Sequence, residues 1–328
     1  MKPVKLGVLG VSGHFGLRLY DPLSKSPLCE FTALGSRSLS RSEEAARRWG
    51  FAKAYGSYKE TVDDPDVEAV YIPLPNDLHA EWIRKAAEAG KAVLCEKPIA
   101  MNAGEAADAL EYAEKKGVLA MEAFMYRFHP QWIRAKEIVD IGEIGDVLSI
   151  HTVFSFNNTD PANIRNKKEN GGGANYDIGC YAISSARHIM GREPERVVSQ
   201  IHYDPATGTD VLTSAILDFG GPRAQFTVST RMSPRQKVSI YGSRGNLTVV
   251  RPFNAYPDVP LTVVVDPGDG PREIKCGPAD QYALMFEAFA KALREGLPAP
   301  TPPSDAVANM KVIDAVFRSG DSGNWEAV

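Results

Sequence analysis

YIPLPNDLHAEWIRKAAEAGKAVLCEKP, residues 71–98, contains one complete unit of strand, loop, helix and second strand. Two short apolar runs flank a segment whose apolar residues recur at helical spacing. The second run ends at Glu96-Lys97-Pro98. In open α/β sheets, ligands bind outside the carboxyl ends of the strands. Lys97 is therefore the first candidate for chemistry.

The same alternation extends to both sides of this unit. Residues 4–11, VKLGVLGV, form an apolar run typical of a buried parallel strand, and a glycine-bearing turn, GVSGHFG, follows it. Further strands are predicted at EFTALGSRS, AYG and VLAMEAF, and helices at 40–50, 57–63, 78–89 and 102–116. This pattern predicts an α/β domain with a parallel sheet over residues 1–123.

The texture of the chain changes after residue 123. Extended runs such as DVLSIHTVFSF and QKVSIYGSRGNLTVVR show two-residue alternation, which predicts a mostly antiparallel sheet with one covered face. One helix is predicted before these runs, at 130–140, one among them, at 176–190, and two after them, at 280–295 and 304–319. Residues 124–328 are therefore expected to form a second, α+β domain.

Composition narrows the class of protein. A chain of 328 residues exceeds one typical core, and hydrophobic residues at 44% with charged residues at 24% indicate a globular protein. A net charge of −4 argues against nucleic acid as the main partner. The four cysteines form no CxxC pair, the histidines show no metal-ligand spacing, and no apolar run is long enough for a membrane span. We expect a cytoplasmic chain without a metal.

The first turn partly matches a dinucleotide-binding fingerprint. G-x-G-x-x-G allows a tight turn and a close approach of the pyrophosphate to a helix N-terminus. Gly10 matches this pattern, but Ser12 replaces the second glycine, and Gly13 and Gly16 fall one position late. An ordinary glycine-rich turn is the alternative. The position of the turn in the first β-α-β unit favours a dinucleotide site.

The end of the second strand distinguishes between the two nicotinamide cofactors. NAD sites usually place a carboxylate there for the ribose hydroxyls, whereas NADP sites accommodate a 2′-phosphate. This chain has Gly35-Ser36-Arg37-Ser38 and no acidic residue before Glu43. The Arg37 guanidinium suits a phosphate, so NADP is predicted over NAD. The alternative is that Arg37 is a solvated surface arginine.

The predicted helix 176–190 carries a second candidate site. Its polar residues recur at intervals of four, three and four: Asp177, Tyr181, Ser184 and His188. Such a stripe is usually the exposed side of a half-buried helix. The preceding run Gly171–Gly173 distinguishes this helix, because glycines let another backbone or a ligand come close.

Four motifs occur in an order and spacing that match a known family: PN-x-x-H at 75–79, CEKP at 95–98, YRFHP at 126–130, and NIR at 163–165 followed by GGGANYDIGCY. On these residues the chain resembles the glucose-fructose oxidoreductase, inositol dehydrogenase and rhizopine-catabolism (Gfo/Idh/MocA) family along nearly its whole length. The resemblance implies a Rossmann domain followed by an α+β domain with a large open sheet. Because that sheet often mediates oligomer contacts in the family, a homodimer or homotetramer is expected.

The resemblance also implies residue roles. The lysine of the family's EKP motif, here Lys97, lies beside nicotinamide and substrate. Asp177 and Tyr181 look like the branch that contains glucose-fructose oxidoreductase, NADP-dependent xylose dehydrogenases and dimeric dihydrodiol dehydrogenases. Cofactor contacts are predicted for Gly10, Ser12, Gly13, His14, Phe15, Ser36, Arg37, Pro75, Asn76, His79, Glu96 and Lys97. Substrate contacts are predicted for Arg127, His129, Arg165 and Asp177.

These roles predict hydride transfer between nicotinamide and a secondary alcohol or hemiacetal carbon of a sugar or cyclic polyol. Tyr181 would accept the hydroxyl proton, and the Lys97 ammonium would favour its phenolate. Asp177 would bind a substrate hydroxyl or orient Lys97. Two alternatives stay open: a regulatory protein that senses NADP(H) or sugar without turnover, and a sugar–sugar oxidoreductase that retains its cofactor. The bond before Pro98 is expected to be cis, since X-Pro bonds in tight turns are where cis peptide bonds occur.

Overall fold

The computed structural model describes residues 1–328, which divide into two units, each made from two stretches of the chain. The first unit comprises Met1–Met125 and Tyr282–Val307, and the second comprises Tyr126–Gln281 and Ala308–Val328. The domain boundary between residues 123 and 124 stays a prediction. The sequence contained no signal that a late segment belongs with the first unit.

A six-stranded sheet forms the centre of the first unit. Its strands are β1 (Val4–Leu9), β2 (Cys29–Gly35), β3 (Lys53–Tyr55), β4 (Ala69–Ile72), β5 (Ala92–Cys95) and β6 (Ala120–Glu122). All pairs are parallel, in the order β3-β2-β1-β4-β5-β6. The order reverses between β1 and β4, and ligands of such sheets bind at that reversal. This confirms the predicted Rossmann-type fold.

Five helices alternate with these strands: α1 (Tyr20–Ser24), α2 (Leu39–Trp49), α3 (Tyr58–Asp63), α4 (His79–Glu88) and α5 (Ala103–Lys115). Their ends follow local chemistry. The Ser57 hydroxyl accepts from the Glu60 N–H at the start of α3, and the Asn102 side chain caps α5 in the same way. Gly50 ends α2 with a φ of 70°, a conformation that favours glycine.

The second unit contains a nine-stranded sheet. Its strands are β7 (Val147–Asn157), β8 (Arg196–Tyr203), β9 (Asp210–Asp218), β10 (Arg223–Ser229), β11 (Arg231–Gly242), β12 (Asn246–Val249), β13 (Leu261–Asp266), β14 (Arg272–Cys276) and β15 (Glu326–Ala327). Their order is β14-β13-β12-β11-β7-β10-β9-β8-β15, and only β7 and β10 pair in parallel. The predicted, mostly antiparallel sheet is therefore confirmed.

One face of this sheet is buried and the other is open. Ile150 and Thr152 of β7 point into the core, whereas His151 between them is exposed. Gln225 of β10 lies opposite His151 and is exposed as well. Alternation along the strands thus separates a core face from a solvent face, as two-residue periodicity predicts.

Four more helices complete the chain: α6 (Pro130–Asp140), α7 (Cys180–Met190), α8 (Gln281–Glu295) and α9 (Pro303–Ser322). The helix predicted over 176–190 differs from the structure at its start. A π-helical turn, Asn175–Gly179, precedes α7, and the Cys180 N–H donates to the Asn175 carbonyl. None of the helices combines the length and the apolar content that crossing a membrane requires.

Candidate cofactor and active site

The glycine-rich turn lies at the carboxyl end of β1. Gly10 has a φ of 115°, which favours glycine, and its N–H donates to the Gly35 carbonyl at 2.8 Å. A Cβ at Gly16 would lie 2.5 Å from the Trp49 ring, so glycine lets these two segments pack closely. A Cβ at Gly13 would meet nothing within 4 Å. The surface above Gly13 is open to a ligand.

Ser12 has a local structural role in this turn. Its hydroxyl accepts from the Phe15 N–H at 3.0 Å, at the start of the π-helical turn Phe15–Leu19. A serine that satisfies a helix-start N–H is a typical cap. The departure from the stricter fingerprint therefore supplies a cap, while Gly13 leaves the space that a bound pyrophosphate needs. Phe15 is fully buried, and His14 is partly exposed beside it.

The turn after β2 presents a cation beside a helix start. Ser36 is buried, and its hydroxyl accepts from the Ser38 N–H at 3.3 Å. Arg37 between them is exposed, and Ser38 directly precedes α2 without a side-chain cap. A guanidinium next to free helix-start N–H groups suits a phosphate.

Glu96 links the ends of two central strands. The Tyr71 hydroxyl donates to Glu96 Oε1 at 2.6 Å. Burial, followed by the Glu96 charge, raises the pKa of Tyr71 well above its usual value, so Tyr71 stays a neutral donor. His14 Nε2 lies 3.9 Å from Glu96 Oε1, and the His14 ring meets the edge of Tyr282 at 5.4 Å. The nucleotide turn and the EKP turn therefore approach each other at the strand-order reversal.

His79 joins the PN-x-x-H loop to the EKP turn. It is fully buried, with Nδ1 at 2.8 Å from the Pro98 carbonyl and Nε2 at 2.9 Å from the Leu74 carbonyl. Burial lowers the pKa of this imidazole. Pro75 and Asn76 lie in the same loop, at the start of the 3₁₀ turn Asn76–Leu78. The ring thereby joins the PN-x-x-H loop to the turn that contains Lys97.

The Lys97–Pro98 peptide bond is cis, which confirms the expectation from the sequence.

In the second unit the protein itself fills the space beside Gly172 and Gly173. The Gly172 N–H donates to the Lys167 carbonyl and the Gly173 N–H donates to the Arg165 carbonyl, both at 2.9 Å. A Cβ at Gly172 would lie 2.6 Å from the Arg165 carbonyl oxygen. Of the two possibilities that this glycine run raised, the structure shows close approach of another backbone segment.

Asp177 and Arg165 form an ion pair. Arg165 Nε donates to Asp177 Oδ2 at 2.7 Å, and the Asp177 side chain is only 15% exposed. The Arg165 guanidinium lies over the Phe156 ring at 6.0 Å. The two predicted substrate contacts thus form one partly exposed ion pair that can both donate and accept hydrogen bonds.

Tyr181 lies in an aromatic environment one turn beyond Asp177. Its ring is 5.2 Å from Phe253, 5.9 Å from Phe154 and 6.1 Å from Tyr126, and the residue is buried. Rings on several sides hold the phenol in one orientation.

The YRFHP motif supports the second unit in two places. Arg127 Nη2 donates to the Ser184 hydroxyl at 2.9 Å, which ties the motif to α7 just beyond Tyr181. His129 is fully buried, and its Nδ1 accepts from the Gln131 N–H at 3.1 Å as the cap of α6. Burial lowers the pKa of His129 to about 4. The contacts of His129 are those of a structural residue. Substrate contacts of Arg127 and His129 stay predictions.

Two residues beside these sites were not predicted. Tyr282 contacts His14 although it is remote in sequence, and Asp210 contacts the start of the segment that bears Asp177. Neither belongs to a local motif, and contacts between distant stretches of chain are not visible in one sequence.

Comparison with known proteins places the chain in a family. Residues 4–124 match the model of the GFO_IDH_MocA oxidoreductase family with an NAD-binding Rossmann fold, and residues 132–248 match the GFO/IDH/MocA C-terminal domain. An uncharacterized oxidoreductase of Rhizobium meliloti is 42% identical over 334 residues, which covers 100% of both chains. The chain belongs to the GFO/IDH/MocA oxidoreductase family.

Family members with named activities are similar over the same length. The D-xylose 1-dehydrogenase (NADP(+)) 2 of Haloferax volcanii is 36% identical over 97% of both chains. A 3-ketoreductase from Actinomadura kijaniata, solved in complex with NADP and TDP-benzene, has a TM-score of 0.92 and 31% identity over 97% of this chain and 98% of its own. Other structures of that ketoreductase contain a tyrosine-to-phenylalanine variant and lysine-to-alanine and lysine-to-glutamate variants.

Proposed function

We propose that this protein is an NADP-dependent oxidoreductase acting on a sugar or cyclic polyol. The observation that carries the proposal is the strand-order reversal of the first unit. The open Gly13 turn and the exposed Arg37 follow the neighbouring strands β1 and β2, and the EKP turn with Lys97 follows β5, which pairs with β4. The names of the xylose dehydrogenase and the ketoreductase support the substrate class.

The residues of the first unit fit a bound dinucleotide. Gly13 leaves room for the pyrophosphate at the helix start, and Arg37 with Ser36 and Ser38 would hold the 2′-phosphate. The nicotinamide would supply or accept a hydride. NADP complexes of the similar ketoreductase support NADP over NAD.

The acid–base role falls to Tyr181, with Lys97 as the cation that favours its phenolate. A phenol has a pKa of about 10, too high for a base near neutrality, and a neighbouring ammonium lowers it. When an alcohol is oxidised, the phenolate accepts the hydroxyl proton, and in the reverse direction the phenol donates it. The tyrosine and lysine variants of the similar ketoreductase concern the same two residue types.

Asp177 and Arg165 would bind the hydroxyl groups of the substrate. The carboxylate accepts hydrogen bonds and the guanidinium donates them, so a pair at 2.7 Å can recognise two neighbouring hydroxyls.

The open face of the nine-stranded sheet would mediate a homodimer or homotetramer. His151 and Tyr241 contact each other there with ring centres 5.0 Å apart, and Leu212 and Gln225 are exposed on the same face. Sedimentation velocity tests this surface: a Thr227→Arg variant in the middle of the face should be monomeric where the wild type is not. An unchanged sedimentation coefficient would contradict the assignment.

A screen of sugars and cyclic polyols, oxidised with NADP and NAD, tests the proposed function. We expect turnover with NADP on at least one aldose or polyol, and an Arg37→Ala variant that loses its preference for NADP. Thermal stabilisation by NADPH without turnover of any alcohol or carbonyl would contradict an enzymatic role.

A further inference from the structure

The helical segment that carries Asp177 and Tyr181 begins without a local cap. Ala174 precedes the first turn and offers no side-chain acceptor. Both Ala174 and Asn175 are fully buried, so their N–H groups cannot turn to water. Buried N–H groups at a helix start need acceptors from elsewhere.

Asp210 supplies this acceptor from another element. It is the first residue of β9, 35 positions from Asn175, and only 2% exposed. Its Oδ2 accepts from the Asn175 N–H at 2.7 Å and from the Thr213 hydroxyl at 3.0 Å. A carboxylate at a helix N-terminus also interacts favourably with the helix dipole.

Gly173 makes the approach of this carboxylate possible. A Cβ at Gly173 would lie 1.9 Å from Asp210 Oδ1, and its φ of 123° favours glycine. The carboxyl group therefore occupies the space that any other side chain would fill. Burial raises the pKa of Asp210 to about 6, while the N–H groups of Asn175 and Ala174 and the Thr213 hydroxyl favour its charged form.

We propose that Asp210 is a positioning residue for the catalytic helix. This inference rests on the proposed function. Asp210 fixes the position of the π-helical turn Asn175–Gly179, which contains Asp177 and directly precedes the turn that bears Tyr181. Loss of the hold lets the turn shift, and a displacement of about 1 Å at a catalytic group can cost on the order of a hundredfold in rate. Asp210 acts through the backbone and does not itself meet substrate.

Three variants test the proposal on the substrate found by screening. Asp210→Ala should lower kcat roughly tenfold to a hundredfold and leave the KM for NADPH within about twofold. Asp210→Asn should recover most of kcat, because an amide oxygen can still accept from the Asn175 N–H. The matched control is Ser57→Ala, which removes the cap of α3. It should lower the melting temperature by a similar amount and leave kcat unchanged.

Hydrogen exchange at the Asn175 amide provides a readout without turnover. In the wild type this amide should exchange far more slowly than an exposed amide, and Asp210→Asn should exchange faster than the wild type. An unchanged kcat in Asp210→Ala would overturn the proposal. If Asp210→Ala does not fold, an unprotected Asn175 amide in the wild type would overturn it instead. If the screen finds no substrate while the Asn175 amide is protected, the proposed function fails. The conclusion that Asp210 binds the start of the helix would still stand.

Discussion

The helical segments that begin at Phe15 and at Asn175 both follow a cluster of glycines, and both start with a π-helical turn. In the first segment Gly13 faces open space. In the second, Gly172 and Gly173 face the Arg165 carbonyl and the Asp210 carboxylate. The same residue type thus leaves room for a ligand in one unit and for the protein's own groups in the other.

The caps of the two segments differ in the same way. Ser12 caps its helix from three residues away, so the local sequence contains both donor and acceptor. Asp210 caps its helix from strand β9, which is distant in sequence. Glycine clusters before a helix therefore do not by themselves identify a ligand site.

The largest effect is expected for Gly173→Ala. The new methyl group would overlap the Asp210 carboxylate, and the φ of 123° disfavours any side chain. Strain and overlap together should cost about 3 kcal/mol or more of unfolding free energy. Urea unfolding measures this loss, and a variant as stable as the wild type would show that Asp210 does not occupy this space.

Only the second helix start should titrate. Burial raises the pKa of Asp210 from 3.8 to about 6. Between these values the folded chain binds a proton that the unfolded chain has lost, so unfolding free energy falls as pH rises, by about 3 kcal/mol in total. The amide of the Asp210→Asn variant does not titrate in this range. The stability of the wild type relative to Asp210→Asn should therefore fall from about pH 4 to about pH 6, and a pH-independent difference would contradict the assignment.

Gly13→Ala should affect binding and leave folding unchanged. Its methyl group meets no protein atom within 4 Å, so unfolding free energy should change by less than about 0.5 kcal/mol. The methyl group would nevertheless occupy the approach of the pyrophosphate, and the KM for NADPH should rise roughly tenfold. Titration calorimetry with NADPH measures the affinity directly. Unchanged binding would place the cofactor elsewhere.

The smallest effect is expected for Ser12→Ala. It removes the hydroxyl that accepts from the Phe15 N–H, which should cost about 1 kcal/mol. Because serine does not titrate, this loss should be the same at every pH between about 4 and 6, in contrast to the Asp210 pair. Urea unfolding over that range provides the comparison, and a pH-dependent loss would indicate another coupled group.

Secondary-structure elements that are determined by residues close together in the sequence were predictable. Strands β1, β4 and β5 are continuous apolar runs, and each was located from the sequence. Strands β14 and β15 were missed because one is mostly charged and the other has two residues. The π-helical turn at Asn175–Gly179 was missed as well, since it has the same side-chain pattern as an α-helix at that length.

The same distinction between local and distant contacts separates the predictable residues of the candidate site from the others. Lys97, Arg37 and Tyr181 lie within motifs, and strand ends, helical spacing and the family resemblance made them candidates. Asp210 lies at the beginning of an ordinary strand, and its role depends on the absence of a side chain at Gly173. His129 was selected for its motif, yet its contacts are those of a buried cap. Motifs suggest candidate residues, whereas burial and hydrogen-bond partners indicate what each one contacts.

Turnover by Tyr181→Phe tests the central assignment most directly. The change removes one hydroxyl and keeps the ring against Phe253 and Phe154. We expect kcat to fall about a hundredfold to a thousandfold, with NADPH affinity within about twofold of the wild type. A Tyr112→Phe variant, which loses an exposed hydroxyl on α5, should keep full activity. If Tyr181→Phe retains most of its turnover, Tyr181 is not the acid–base residue and the proposed mechanism is wrong.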